Sequence, residues 1–129
     1  MSNNRKFYIN GEWVEPNGSD TVDVINPATE DVIGTIALGT HEDVDAAVAA
    51  AQNAFETFSQ TTVEERLELL NKITEIIGSR SEDLATAITS EMGAPSGLAK
   101  AAQAGTGLFH FATTAGILAN FNFEEELGK

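Results

Sequence analysis

The stretch "VINPATEDVIGTI" (residues 24–36) decides how the fold is read. Two β-branched runs flank Asn26-Pro27-Ala28-Thr29-Glu30-Asp31, a segment rich in turn formers. Pro27 cannot donate to a strand ladder, and it pushes Asn26 out of the helical region. The pattern predicts a hairpin with arms at residues 22–25 and 32–37. Upstream, "FYINGEWV" (residues 7–14) predicts a second one around Asn10-Gly11. Asn and Gly tolerate the positive φ that both central positions of a type I′ turn require. Neither hairpin holds a nucleophile, a metal cluster or a phosphate cradle.

Downstream the apolar period lengthens to that of helices. Thr40 with Asp43 reads as an N-cap followed by acidic residues in the first turn, which suits the helix dipole. Val44, Val48, Ala51, Phe55 and Phe58 then share one face. Thr62-x-x-Glu65 is a capping box that opens a second helix, with Leu67, Leu70, Ile73, Ile76 and Ile77 as its stripe and Gly78 as its end. A third helix runs from Ser81 through Leu84, Ala85, Ile88 and Met92 to Gly93, with Pro95 beyond. A fourth, expected as one unbroken helix over residues 96–120, is nearly uncharged. Leu98, Ala102, Gly105, Phe109 and Ala112 define one side; Leu108, Phe111, Ala115 and Leu118 define the other. A helix apolar on both sides needs cover on both sides. Its glycines, Gly105, Gly107 and Gly116, each cost about 1 kcal/mol against alanine and point to close packing. Three short helices and two hairpins do not supply that much partner surface, so the chain reads as incomplete.

The bulk numbers bound the function. The 129 residues fit one domain that can bury roughly 65–70% of its unfolded surface. With 42% hydrophobic and 21% charged residues the composition is globular. Twenty acidic residues against seven basic ones give a formal charge of −13. Nucleic acid binding needs Lys and Arg to displace condensed counterions, and an anionic membrane would repel this chain, so neither partner is expected. There is no cysteine, which removes disulfides and thiolate chemistry from these residues. No apolar run reaches the ~20 residues that span a bilayer. A cytoplasmic protein is the expectation.

The candidates for chemistry are thin. His41 and His110 share no metal-ligand spacing. Gly105-Thr106-Gly107 resembles half of a dinucleotide fingerprint, but His110 stands where the third glycine belongs and no strand precedes it. Glu82-Asp83 and Glu64-Glu65 are helix starts, and Glu124-Glu125-Glu126 is a solvated run. Glu91 stands out, because a carboxylate near a helix C-terminus is disfavoured by the dipole.

The order of the elements is informative. "FYINGEWV", "VINPATEDVIGTI", "THEDVDAAVAAAQNAF", "VEERLELLNKITEII" and "EDLATAITSEMGAP" together resemble the N-terminal part of the aldehyde dehydrogenase superfamily. Each motif alone is weak; Asn26-Pro27-Ala28-Thr29, Arg66 with Leu69-Leu70, and Glu91-x-Gly-x-Pro in this order are specific.

The resemblance implies an α/β fold for the full-length protein. This chain would be two β-hairpins followed by about four α-helices, the outer part of a Rossmann-like coenzyme-binding domain that residues 1–129 leave incomplete. It further implies oxidation of an aldehyde to a carboxylic acid with NAD or NADP, by a cysteine thiohemiacetal and thioester route. The catalytic cysteine and glutamate and the nucleotide-binding units would follow Lys129, so the chain alone is expected to be inactive. A homo-dimer or tetramer is implied for the full-length enzyme. Residue by residue, Val24 and Ile25 match a strand end whose carbonyls bind a sodium or potassium ion in some members, and Glu91 matches the acid that helps close that site. Ala102 and Thr106 match positions on the wall of the aldehyde entrance tunnel. Phe109-His110-Phe111-Ala112 departs from the family's usual aromatic-Arg-Tyr-aromatic ending of this helix, which leaves the substrate class open. The alternative is a non-catalytic, acidic helical interaction module derived from the same region.

Overall fold

The computed structural model describes residues 3–128. They form two compact units: one runs up to Gln60 and takes in Ser90–Gly93, and the other holds Thr61–Thr89 and the chain from Ala94 onward.

The first unit begins with β1 (Phe7–Ile9) and β2 (Glu12–Val14), paired antiparallel so that Ile9 faces Glu12. Asn10 and Gly11 have φ of 53° and 82°, the type I′ signature expected from the dipeptide. Tyr8 and Trp13 stand opposite each other with ring centroids 5.3 Å apart, and Lys6 pairs with Glu15 at 2.7 Å. β3 (Thr21–Ile25) and β4 (Val32–Ala37) form the second hairpin. Its loop is closed by the Asn26 N–H on the Asp31 carbonyl (2.9 Å) and the Glu30 N–H on the Asn26 carbonyl (2.8 Å). The Asn26 side chain also accepts from the Ala28 N–H, the local bond that makes Asn a turn former. The ladder slips at the strand end: Val24 faces Gly34 but Ile25 faces Val32, which leaves Ile33 as the extra residue of a bulge.

Helix α1 (His41–Phe58) follows, with a complete capping box between Thr40 and Asp43. A Cβ at Gly39 would meet the Phe7 ring at 3.5 Å, ordinary contact distance, so the start of the helix lies beside β1. The predicted face of α1 is apolar and uncovered: Val44, Val48, Phe55 and Phe58 are all exposed, Phe55 at 68%.

The second unit is built on α2 (Val63–Ser79), α3 (Ser81–Met92), the short α4 (Ser96–Leu98) and α5 (Ala104–Leu118); the last turn of α3 belongs to the first unit. Thr62 and Glu65 cap α2 reciprocally, as their spacing predicts. The helix passes Gly78 and ends at Ser79, so Gly78 is not its stop. Gly78 is instead where α5 comes close, since a Cβ there would lie 3.0 Å from Leu108 Cδ1.

One expectation is corrected. Residues 96–120 are not one unbroken α-helix, because a π-helical turn, Ala99–Gln103, separates α4 from α5, and α5 ends at Leu118. The Ala104 N–H donates to the Ala99 carbonyl, five residues back. In a straight α-helix residues five apart point about 140° away from each other. The wider turn brings Ala99 and Ala104 onto one face, and both are buried with Ala85 of α3 in a single small core. Lys100, within that turn, pairs with Glu82 of α3. Of the two expected faces of α5, one meets α2 through Leu108 and at Gly107, where a Cβ would lie 3.8 Å from Ile77 Cγ2. The other is open: Phe109 is 64% exposed, and a Cβ at Gly105 or Gly116 would meet nothing within 4 Å. Among the described residues of this unit, close packing accounts only for Gly78.

Candidate functional site

The second hairpin and the end of α3 share a cavity of about 260 Å³ in the first unit. Asn4, Val24, Ile33, Gly34, Ile36 and Glu91 line it. Local chemistry shapes each wall. The bulge displaces Ile33 from the ladder. Gly34 contributes no side chain, so the floor stays open beside Val24. Gly93 ends α3 at φ 69°, a conformation that suits glycine, and turns the chain beneath the hairpin loop. A Cβ at Gly93 would lie 2.7 Å from Pro27 Cγ, so the Asn-Pro loop rests directly on this turn. Pro27 and Gly93 together hold Glu91 near β3.

The residues expected to bind a cation are brought together in part. Val24 and Glu91 line the same cavity, whereas Ile25 is not among its lining residues. Glu91 has no ion-pair partner among the described residues. Its carboxylate is a hard oxygen donor, of the kind sodium and potassium prefer. Among the described residues no group of three or more His, Asp or Glu could hold a metal ion. Asn4, Ile33 and Ile36 escaped the sequence reading. The signal that could have found Ile33 is the pair of adjacent β-branched residues, Val32-Ile33, where strict alternation permits one inward residue.

Ala102 and Thr106, the expected tunnel positions, lie in the second unit, Ala102 in the π-helical turn and Thr106 in α5. Both are exposed, and the Thr106 hydroxyl donates to the Ala102 carbonyl at 3.0 Å. The Gly105-Thr106-Gly107 run lies wholly inside α5, where its amides are spent on helix bonds and cannot cradle a phosphate. This run therefore does not fit the phosphates of a dinucleotide.

Among the described residues the one buried acid lies elsewhere. Asp43 is 5% exposed and makes four contacts through its carboxylate. Oδ2 accepts from the Thr40 N–H (2.8 Å) and hydroxyl (3.1 Å), and Oδ1 from the Asn17 N–H (3.0 Å) and Nδ2 (2.9 Å). These bonds, the Thr40 N–H foremost and then the Asn17 N–H, hold its carboxyl below the usual aspartate range against the opposing effect of burial. Its hydrogen-bonding capacity is used by the fold, so Asp43 is a structural acid.

A family model described as "Aldehyde dehydrogenase family" matches residues 13–126. The chain belongs to the aldehyde dehydrogenase family. It is 50% identical over 129 residues to a 3-succinoylsemialdehyde-pyridine dehydrogenase of Pseudomonas sp., covering 99% of this chain and 27% of that protein. A putative aldehyde dehydrogenase of Staphylococcus aureus is 48% identical, with the same coverage. The solved aldehyde dehydrogenase of Bartonella henselae superposes with a TM-score of 0.95 at 43% identity, over 100% of this chain and 27% of that one. A mutant aldehyde dehydrogenase C of Pseudomonas syringae, solved with NAD+ and octanal, gives 0.94 at 40% identity over 98% and 26%. The chain thus spans about a quarter of the length of these relatives and corresponds to their N-terminal portion. Its hairpins and helices match that part of the aldehyde dehydrogenase α/β fold. Among the described residues no helix is long and apolar enough to cross a membrane.

Proposed function

We propose that these residues serve as the N-terminal scaffold of an enzyme that oxidises an aldehyde to a carboxylic acid with NAD or NADP. The observation that supports this reading is full-length superposition on a quarter of a solved aldehyde dehydrogenase, combined with a chain that contains no cysteine. The thiolate nucleophile, the glutamate that activates water and the dinucleotide cradle then belong to the remaining three quarters. The NAD+ held by related structures favours NAD as the cofactor. Residues 1–129 form an incomplete part of the coenzyme-binding domain in this reading, within a cytoplasmic homo-dimer or tetramer.

Two roles fall to this chain's own residues. Glu91 and the backbone at Val24, with Ile25 at the adjoining strand end, hold a sodium or potassium ion. The ion pins the second hairpin to the end of α3 and takes no part in the redox chemistry. Ala102 and Thr106 form part of the wall along which the aldehyde enters. Both side chains are small, which suits a substrate with bulk near its entrance end.

The test compares this chain alone with a polypeptide that carries the remainder as well. NAD(P)H formation with simple aldehydes is expected only from the longer polypeptide. Turnover by residues 1–129 alone would overturn the assignment.

A further inference from the structure

The sequence contains two Asn-Gly dipeptides, Asn10-Gly11 and Asn17-Gly18, and their surroundings differ sharply. Asn17 is fastened: its backbone N–H and its Nδ2 both donate to Asp43 Oδ1, at 3.0 and 2.9 Å. Gly18 is wedged, since a Cβ there would lie 2.8 Å from Thr40 Cγ2. Asn10 is exposed, and among the described residues nothing hydrogen-bonds its side chain. A Cβ on Gly11 would meet nothing within 4 Å.

We propose that Asn10 is a site of spontaneous backbone-assisted deamidation, and that the Asp43 clasp protects the chemically equivalent Asn17. The Gly11 backbone nitrogen attacks Asn10 Cγ. A bond forms between that nitrogen and Cγ, the Cγ–Nδ2 bond breaks, and Nδ2 leaves as ammonia with the proton from the Gly11 N–H. Water then opens the five-membered imide at one of its two carbonyls. Opening at Cγ leaves aspartate; opening at the backbone carbonyl leaves isoaspartate, with the main chain routed through Cβ. No oxidant, reductant or cofactor enters the balance.

The turn geometry favours the attack. Asn10 already has φ 53°, the sign that types I′ and II′ share at their first central residue. Rotating the Asn10–Gly11 peptide plane alone converts one into the other, moving the Asn10 ψ from about +30° to about −120° and turning the Gly11 nitrogen towards the side chain. Gly11 accepts φ of either sign, so the strain of the rotation falls on Asn10 alone. At Asn17 the side chain must first leave the Asp43 carboxylate, which holds both its Nδ2 and the residue's own N–H.

Isoaspartate adds a backbone atom to a two-residue turn. The Ile9–Glu12 pairing that depends on turn length is then lost, and with it the juxtaposition of Tyr8 and Trp13. Trp13 is the sole tryptophan of the sequence, so its fluorescence reports the change.

A polypeptide that carries the remainder of the enzyme as well is incubated folded, and separately in urea, in mildly alkaline buffer; peptide mass mapping and isoaspartyl methyltransferase labelling follow each site. In urea both dipeptides convert alike. In the folded chain Asn10 is expected to outpace Asn17 by at least about tenfold, the factor for breaking one charge-assisted hydrogen bond. Trp13 emission drifts in step with Asn10 conversion and stays constant in an Asn10→Gly variant. Equal folded rates, a faster Asn17, or an emission drift that persists in Asn10→Gly would each overturn the proposal.

Discussion

A single carboxylate oxygen of Asp43 receives both the backbone N–H and the side-chain amide of Asn17, a residue 26 positions upstream. Asp43 thereby caps α1 with its other oxygen while it fastens the segment between the two hairpins. One side chain couples the loop after β2 to the helix start.

Acid should release that clasp. The carboxyl of Asp43 is held below the ordinary aspartate range, so its ionised form contributes stability that is fully present above the unfolded value. That contribution is lost as pH falls through the lower folded value. NMR titration should show the Asn17 side-chain amide unmoved from neutral pH down to the ordinary aspartate range, and shifting only below it. In Asp43→Asn that transition should be absent.

Gly93→Ala should loosen the second hairpin. Gly93 has φ 69°, and the new Cβ would sit 2.7 Å from Pro27 Cγ. The left-handed conformation alone costs a non-glycine residue about 1–2 kcal/mol, which is roughly a tenfold rise in local opening. Amide exchange at Asn26 and Glu30, whose N–H groups close the loop, should accelerate by about that factor.

The α2 cap offers a test confined to the second unit. Thr62 accepts from the Glu65 N–H at 3.2 Å while Glu65 accepts from the Thr62 N–H at 2.7 Å. Thr62→Ala removes the first of these bonds, at a cost of about 1 kcal/mol. Exchange in the first turn of α2 should rise severalfold, with the exchange of β1 and β2 unchanged.

Isolated, the chain should bind hydrophobic dyes and melt over a broad range. Its buried hydrophobic residues are Ala85, Ala99, Ala104 and Ala115, and among the described residues no large side chain is fully buried. Four alanines supply too little apolar burial to offset the conformational entropy of ordering more than a hundred residues. Dye fluorescence should fall when the remainder of the polypeptide is present. A sharp cooperative transition from the monomeric chain would contradict this.

The proposed ion site has its own readout. Replacing choline by sodium or potassium should slow amide exchange at Val24 and Glu91, and Glu91→Gln should abolish the difference. An unchanged ion response in Glu91→Gln would remove the carboxylate from the site.

Wherever neighbours along the chain settle the matter, the amino-acid sequence was sufficient. Asn10-Gly11 dictates its turn because few residues tolerate positive φ twice in succession. Thr40 with Asp43, and Thr62 with Glu65, announce helix starts because a capping box closes within one turn. The two-sided apolarity of the fourth helix was legible too, and one of its sides is indeed open. Tertiary contact decided the rest. The π-helical turn arises because Ala99 and Ala104 must both reach Ala85, a demand that helical periodicity does not express. The Asn17 clasp, the seat of Pro27 on Gly93 and the shared cavity of Val24 and Glu91 join residues that are remote in the chain. Local bonds form between neighbours and leave a pattern in the sequence. Remote ones exist only after the chain has folded back on itself, so no spacing records them.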